Sequence, residues 1–115
     1  MVRNFFIGGD MAVNRVGFGA MRLAANGFRG PARDPETGRA VLRRAVGLGI
    51  NLIDTAAFYC SSDKTVRANM LIREALHPYP SDLLIATKVG HVFNPVLSHR
   101  TASGVLTDKD LAELA

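Results

Sequence analysis

The stretch that decides the fold is DPETGRAVLRRAVGLGINLID, residues 34–54. Asp34 can accept hydrogen bonds from the free amides of a helix start, and Pro35 suits the first helical position, where its missing N–H is not needed. Apolar residues then recur at helical spacing, at positions 41, 42, 45, 46 and 48, until Gly49 ends the helix. INLI follows at once as a short strand rich in branched residues. This stretch therefore predicts a helix that leads directly into a buried strand.

The neighbouring segments repeat this alternation. VGFGAMRL (16–23) is apolar enough to be a strand buried on both faces, and residues 24–35 collect Gly, Pro, Asn and Asp into a loop. Apolar residues at 68, 71, 72 and 75 predict a second amphipathic helix, which Pro78 stops, and LLIAT (83–87) is a further buried strand. Because strands that alternate with helices pair in parallel, we expect an α/β fold.

Two shorter features flank the alternation. Apolar runs on either side of Gly8-Gly9-Asp10 are typical of a β-hairpin. Thr107 is a good helix cap, and acidic residues follow it in the first turn. We therefore expect one domain made of a hairpin in residues 1–15, three strands, two helices and a long loop in residues 16–106, and the start of a further helix in residues 107–115.

Composition excludes several classes of protein. The 115 residues carry a net charge of +4 and suffice for one domain. We expect no membrane span, because no run of about 18 uncharged apolar residues occurs. We expect no nucleic-acid partner either, because the basic residues are mostly single and lack interleaved aromatic residues. The one cysteine, Cys60, cannot form an internal disulfide, and the apolar N-terminal run breaks off at Gly8, so a cytoplasmic location is expected.

Candidate catalytic residues follow the strands, at the edge where parallel α/β folds bind their ligands. Asp54 and Tyr59 follow the second strand of the alternation, and Lys88 follows the third. A protonated lysine beside a phenol stabilises the phenolate, and a carboxylate keeps the lysine charged and oriented. The phenol can then donate a proton to a carbonyl oxygen near neutral pH. These residues predict a proton-transfer site, and the plainer alternative is an ion pair with an incidental tyrosine.

Three blocks in this order, GFGAMRL, NLIDTAAFY and IREALHPYPSDLLIATKVG, resemble the opening part of the aldo-keto reductase family. The resemblance covers nearly all of residues 4–91. It implies the N-terminal part of a (β/α)8 TIM barrel, with about three βα units and a hairpin that closes the barrel floor. It also implies that NADPH is the cofactor and that small aldehydes and ketones are reduced to alcohols.

The resemblance assigns roles to individual residues. It implies Tyr59 as the general acid, Lys88 as the group that tunes it, and Asp54 as the partner of Lys88. It also implies a segment that lies against the nicotinamide half of NADPH, made of Gly19, Ala20, Met21 and the nearby Asp54. No metal site is expected, because one cysteine and three scattered histidines offer no ligand spacing.

The sequence departs from the family pattern at three points. The family histidine lies at the end of the fourth strand, and we expect this chain to stop before that strand, with His91 and His99 in a loop. The small glycine usual after the tyrosine is replaced by Cys60, which is interpreted as an apolar filler or, alternatively, as a reactive thiol beside Lys64. The family's adenine and 2′-phosphate sites lie in its C-terminal half.

Two alternative interpretations of the sequence assign the chain to other classes of protein. A Rossmann unit would use GFGAMR (17–22), but Arg22 stands where the third glycine belongs and no helix is predicted to open there. The other alternative is a catalytically incomplete piece with a structural or assembly role, which would self-associate through its open sheet edges. In that case we expect the isolated chain to bind NADPH weakly and to reduce no carbonyl compound.

Overall fold

The computed structural model describes residues 4–88. Their elements are, in chain order, strand β1 (Asn4–Ile7), strand β2 (Met11–Asn14), strand β3 (Phe18–Gly19), helix α1 (Pro35–Gly47), strand β4 (Leu52–Asp54), helix α2 (Ala68–Leu76) and strand β5 (Leu84–Ala86). β1 and β2 form an antiparallel hairpin, and β3, β4 and β5 form a parallel sheet in that order. The predicted hairpin and the α/β alternation are confirmed. The long loop, the histidines and the further helix predicted beyond residue 88 lie outside the described residues.

Helix α1 begins and ends at the residues that the sequence indicates. The Asp34 carboxylate accepts hydrogen bonds from the Thr37 hydroxyl at 2.7 Å and from the Thr37 amide at 3.0 Å, and these bonds lower the pKa of Asp34. At the other end Gly49 adopts a φ of +100°, a backbone conformation that glycine enters without steric cost. Local chemistry therefore sets both limits of this helix.

The hydrophobic core lies between the two helices and strand β4. Leu42 of α1, Ile53 of β4 and Leu71 of α2 are almost entirely buried in one apolar cluster. Gly38 permits the close approach of the helices, because a Cβ atom there would lie 2.9 Å from the Leu71 Cδ1. The two helices are 13 and 9 residues long, and neither of them could cross a membrane.

The first predicted strand of the alternation was too long. Only Phe18–Gly19 forms strand β3, whereas the sequence predicts a buried strand over 16–23. The Ala20 amide still donates to the Asp54 carbonyl, at 2.9 Å, but the chain then turns, with the Leu23 amide bonded to the Ala20 carbonyl at 3.1 Å. Ala20 and Leu23 are therefore buried in a turn. Val16, at the other end of the predicted strand, is 69% exposed.

The buried face of α1 is narrower than the pattern of apolar residues in its sequence predicts. Leu42 and Ala45 are buried, but Val41 and Leu48 are 41% and 66% exposed. Successive helical residues are about 100° apart, so Val41 lies at the border of the arc that α2 and the sheet cover. Periodicity located the buried face without determining how wide it is.

The hairpin is attached to the amino end of the parallel sheet. Asn51, just before β4, accepts a hydrogen bond from the Asn14 amide at 2.7 Å and donates to the Ala12 carbonyl at 3.1 Å. Asp54, at the other end of β4, marks the opposite edge of the sheet. We call this opposite edge, where β3, β4 and β5 end, the carboxyl edge.

Candidate active site

The structure brings Asp54, Tyr59 and Lys88 together at the carboxyl edge. The Lys88 Nζ lies 2.9 Å from both carboxylate oxygens of Asp54, 3.0 Å from the Tyr59 Oη and 3.1 Å from the Thr55 carbonyl oxygen. Parallel pairing places Asp54 opposite Ala86, the last residue of β5. Lys88 follows two residues later, so its side chain lies on the same side of the sheet as that of Ala86. Strand register therefore explains how residues 34 positions apart meet.

The hydrogen-bond donors of Lys88 are fully used. An ammonium group has three N–H donors, and here they meet a carboxylate, a backbone carbonyl and a phenol. The hydrogen bond to Tyr59 and, as the second cause, the hydrogen bond to Asp54 raise the pKa of Lys88. Lys88 is therefore charged at neutral pH. Because the Tyr59 oxygen accepts from Lys88, its own hydrogen is available to another acceptor.

Tyr59 is held from both sides of its backbone. Its amide donates to the Ala56 carbonyl at 3.2 Å, and its carbonyl accepts from the amide of Ala68, the first residue of α2, at 2.9 Å. The residue is 9% exposed, and its ring packs edge to face against Phe58 with the centroids 5.1 Å apart. The phenol thus has a defined position, while the Lys88 and Asp54 side chains beside it are 43% and 54% exposed. A solute can reach this group of residues.

Thr55 is a site residue that the sequence analysis missed. It is 1% exposed, its amide donates to the Ala86 carbonyl at 2.8 Å, and its hydroxyl donates to the Asn69 Oδ1 at 2.7 Å. These bonds connect Thr55, whose carbonyl accepts a hydrogen bond from Lys88, to both β5 and α2. Its side chain gave no signal for this role, because the contact with Lys88 is made by its backbone carbonyl.

The segment expected against the nicotinamide ring lies beside Asp54. Gly19 pairs with Asp54 in the sheet, and a Cβ atom at Gly19 would meet nothing within 4 Å. Ala20 is buried, and Met21 is 36% exposed. Bare backbone with an exposed apolar side chain suits a planar ring, so these residues fit the nicotinamide end of a dinucleotide.

The loop after Tyr59, where the sequence departs from the family pattern, is internally bonded. Asp63 accepts from the Ser61 hydroxyl at 2.6 Å and from the Thr65 amide at 3.0 Å, which lowers the pKa of Asp63 to about 2. Cys60 is buried in the core, in keeping with its interpretation as a filler. Across residues 4–88, no cluster of three or more His, Cys, Asp or Glu could hold a metal ion.

The sequence and the fold of this chain are similar to those of known proteins. The profile of the aldo/keto reductase family matches residues 15–109. An aldo-keto reductase from Bacillus halodurans, solved in its holo form, superposes with a TM-score of 0.62 at 28% identity, over 82% of this chain and 28% of that one. The chain belongs to the aldo/keto reductase family, and its described part is a portion of a TIM barrel. The Rossmann alternative is therefore wrong.

Two curated relatives are more similar in sequence. Pyridoxine 4-dehydrogenase from Escherichia coli (strain K12) is 49% identical over 90 residues, which is 78% of this chain and 30% of the relative. An uncharacterized oxidoreductase from Schizosaccharomyces pombe is 50% identical over 84 residues, which is 73% of this chain and 26% of the relative. The chain thus spans less than a third of the length of these oxidoreductases.

Proposed function

We propose that this chain supplies the proton-transfer residues of an NADPH-dependent reductase of aldehydes and ketones, with Tyr59 as the general acid. The observation that carries the proposal is the position of the Lys88 Nζ, 3.0 Å from the Tyr59 Oη and 2.9 Å from the Asp54 carboxylate. This contact between the lysine and the phenol supports a proton-transfer site over an ion pair with an incidental tyrosine.

The path of the proton follows from the hydrogen bonds of Tyr59, Lys88 and Asp54. A substrate carbonyl oxygen that accepts from the Tyr59 hydroxyl takes its proton as the C=O bond becomes a C–O single bond. The tyrosinate left behind is stabilised by the Lys88 ammonium, and Asp54 keeps that ammonium in place. Solvent then returns a proton to Tyr59. When bound, NADPH supplies the hydride for the carbonyl carbon.

The cofactor would lie at the carboxyl edge, beside the end of strand β3. Gly19, Ala20, Met21 and Asp54 would hold its nicotinamide half, because they combine bare backbone, an apolar side chain and a carboxylate next to the proton donor. In this proposal the hydride source would lie close to Tyr59.

The substrate class that we propose is a small aldehyde on an aromatic ring, and pyridoxal is the first compound to test. The support is the name of the E. coli relative, pyridoxine 4-dehydrogenase, at 49% identity over 90 residues. Oxidation of an alcohol such as pyridoxine is the reverse of the same proton and hydride transfer.

Cytoplasmic location is also part of the proposal. Its support is Cys60, the one cysteine of the sequence, which lies buried as a free thiol. Cell fractionation with an antibody against this chain tests it.

The decisive experiment measures the loss of NADPH absorbance with pyridoxal, using the complete gene product that contains this chain. Replacing Tyr59→Phe removes only the proton donor, so kcat should fall by about 100-fold or more while NADPH affinity is retained. Tyr79→Phe is the matched control, because Tyr79 packs against His77 instead of Lys88. A Tyr59→Phe variant with wild-type kcat would refute the proposal.

A second candidate function is a structural role in an assembly, and the outer strands of the parallel sheet favour it. Within residues 4–88, β3 and β5 each have one strand neighbour, and Ile85 of β5 is 39% exposed while its partner Ile53 is buried. The purified 115-residue chain should then form a defined oligomer in analytical ultracentrifugation and leave NADPH fluorescence unchanged. A monomer that turns over NADPH would exclude this candidate.

A further inference from the structure

The first turn of helix α2 is connected to both partners of the Lys88–Tyr59 contact. The amide of Ala68, the first residue of this helix, donates to the Tyr59 carbonyl at 2.9 Å. The side chain of Asn69, the next residue, accepts a hydrogen bond from the Thr55 hydroxyl at 2.7 Å. Thr55 in turn offers its carbonyl to the Lys88 Nζ at 3.1 Å. One helical turn therefore reaches the phenol on one side and the ammonium on the other.

The bond between Thr55 and Asn69 joins a buried group to an exposed residue. Thr55 is 1% exposed, whereas Asn69 lies at the surface. Within residues 4–88, the Asn69 Oδ1 is the one acceptor of the Thr55 hydroxyl, and a buried hydroxyl without a partner is destabilising. Helix α2 itself has no need of asparagine at this position, because alanine is the better helix former. The role of Asn69 therefore lies in its contact with Thr55.

This contact fixes the part of Thr55 that the sheet leaves free. The Thr55 amide donates to the Ala86 carbonyl at 2.8 Å, which holds the peptide group before Thr55. The carbonyl that accepts from Lys88 belongs to the peptide group after Thr55. The hydroxyl lies between these two groups, and its bond to Asn69 limits the rotation of the second relative to the first. Asn69 thereby helps to aim the carbonyl at the Lys88 ammonium.

We propose that Asn69 is a positioning residue, which acts through Thr55 to keep the Lys88 ammonium within hydrogen-bond distance of the Tyr59 phenol. This inference rests on the proposed function, in which Lys88 stabilises the tyrosinate that forms as the proton leaves. Such charge-assisted stabilisation depends on the distance between the two groups, which is 3.0 Å here. Asn69 is not among the residues proposed to hold NADPH, so its loss should slow proton transfer without weakening cofactor binding.

The test measures kcat with pyridoxal and benzaldehyde, and NADPH affinity by fluorescence titration, in the complete gene product. Asn69→Ala should lower kcat about tenfold, the scale expected when catalytic groups are slightly misplaced. The Kd for NADPH should stay within about twofold of the wild type. The stoichiometry of NADPH binding counts the folded molecules, so kcat is given per folded site. A wild-type kcat in Asn69→Ala would overturn the inference.

A conservative variant separates positioning from a general effect on the helix. Asn69→Asp keeps an acceptor oxygen for the Thr55 hydroxyl, and an acidic residue suits the first turn of a helix, so kcat should stay within about twofold of the wild type. Met70→Ala is the matched control, because Met70 is the next residue of α2 and is 50% exposed. Equal losses of kcat in Asn69→Ala and in either of these variants would overturn the inference.

A double-mutant cycle tests the route through Thr55. Thr55→Val removes the hydroxyl but keeps the carbonyl, so it should lower kcat as Asn69→Ala does, and it serves where Asn69→Ala fails to fold. Adding Asn69→Ala to Thr55→Val should then change kcat by less than about twofold, whereas losses that multiply would overturn the inference. A wild-type protein that reduces neither aldehyde overturns the proposed function and this inference together.

Discussion

The backbone carbonyl of Tyr59 accepts a hydrogen bond from the amide of Ala68, the first residue of α2, at 2.9 Å. The first amides of a helix have no partner within the helix, so one of them is satisfied here by the proposed general acid. The helix-capping residue, Arg67, contributes no side-chain hydrogen bond. The position of Tyr59 is therefore coupled to the start of α2.

Arg67→Ser should stabilise the chain, because serine at the capping position can accept from a free amide of α2. We expect the free energy of unfolding to rise by about 0.5 to 1 kcal/mol. Urea unfolding followed by circular dichroism measures it. Arg67→Ala is the control and should bring no such gain, and an equal gain with alanine would contradict the capping explanation.

The contacts of Lys88 should weaken at alkaline pH. Hydrogen bonding to Tyr59 and Asp54 raises the pKa of Lys88 above its usual value of 10.5. Their contribution to stability is therefore complete below pH 10.5 and is lost as the pH rises through the higher pKa of the folded chain. Urea unfolding between pH 8 and about 12 should show this decline in the wild type and a smaller one in Lys88→Met. Lys64→Met, in a neighbouring loop, should keep the wild-type profile.

Asp63 should show the opposite dependence, at acid pH. Its pKa is lowered from 3.8 to about 2, and the largest cause is the hydrogen bond from the Ser61 hydroxyl. The stabilisation is present above pH 3.8 and is lost as the pH falls through about 2. Unfolding experiments should show a smaller acid-induced loss in Asp63→Asn than in the wild type. The control is Asp82→Asn, because the Asp82 side chain forms no hydrogen bond within residues 4–88, and an equal effect there would refute the assignment.

Asn51→Ala should loosen the hairpin. It removes the acceptor for the Asn14 amide and the donor to Ala12, which costs about 1 to 3 kcal/mol. Hydrogen exchange should show lost protection of the β2 amides before that of α1. In Asn26→Ala, the control, protection should be unchanged, because the Asn26 side chain forms no hydrogen bond within residues 4–88. Unaltered β2 protection in Asn51→Ala would mean that other contacts hold the hairpin.

Most elements could be predicted because their signals are local. The carboxylate of Asp34 and the glycine at 49 mark the ends of α1, and apolar spacing marks α2. The strand predicted over 16–23 was too long because apolar composition does not distinguish a buried strand from a buried turn. Thr55 was missed because its role depends on its backbone carbonyl, and the identity of a side chain carries no signal for a carbonyl contact.

The sequence by itself determined the order of strands and helices and the placement of Asp54, Tyr59 and Lys88 after the strands. Helix caps and periodic burial act over a few residues, so they can be recognised in the chain alone. Only the tertiary structure decided that the Lys88 ammonium meets the Tyr59 phenol 29 residues away, and that the Phe28 ring meets the Phe58 ring. Those contacts depend on the register between β4 and β5 and on the hydrogen bond from the Ser62 amide to the Gly30 carbonyl, and both are properties of the packed chain.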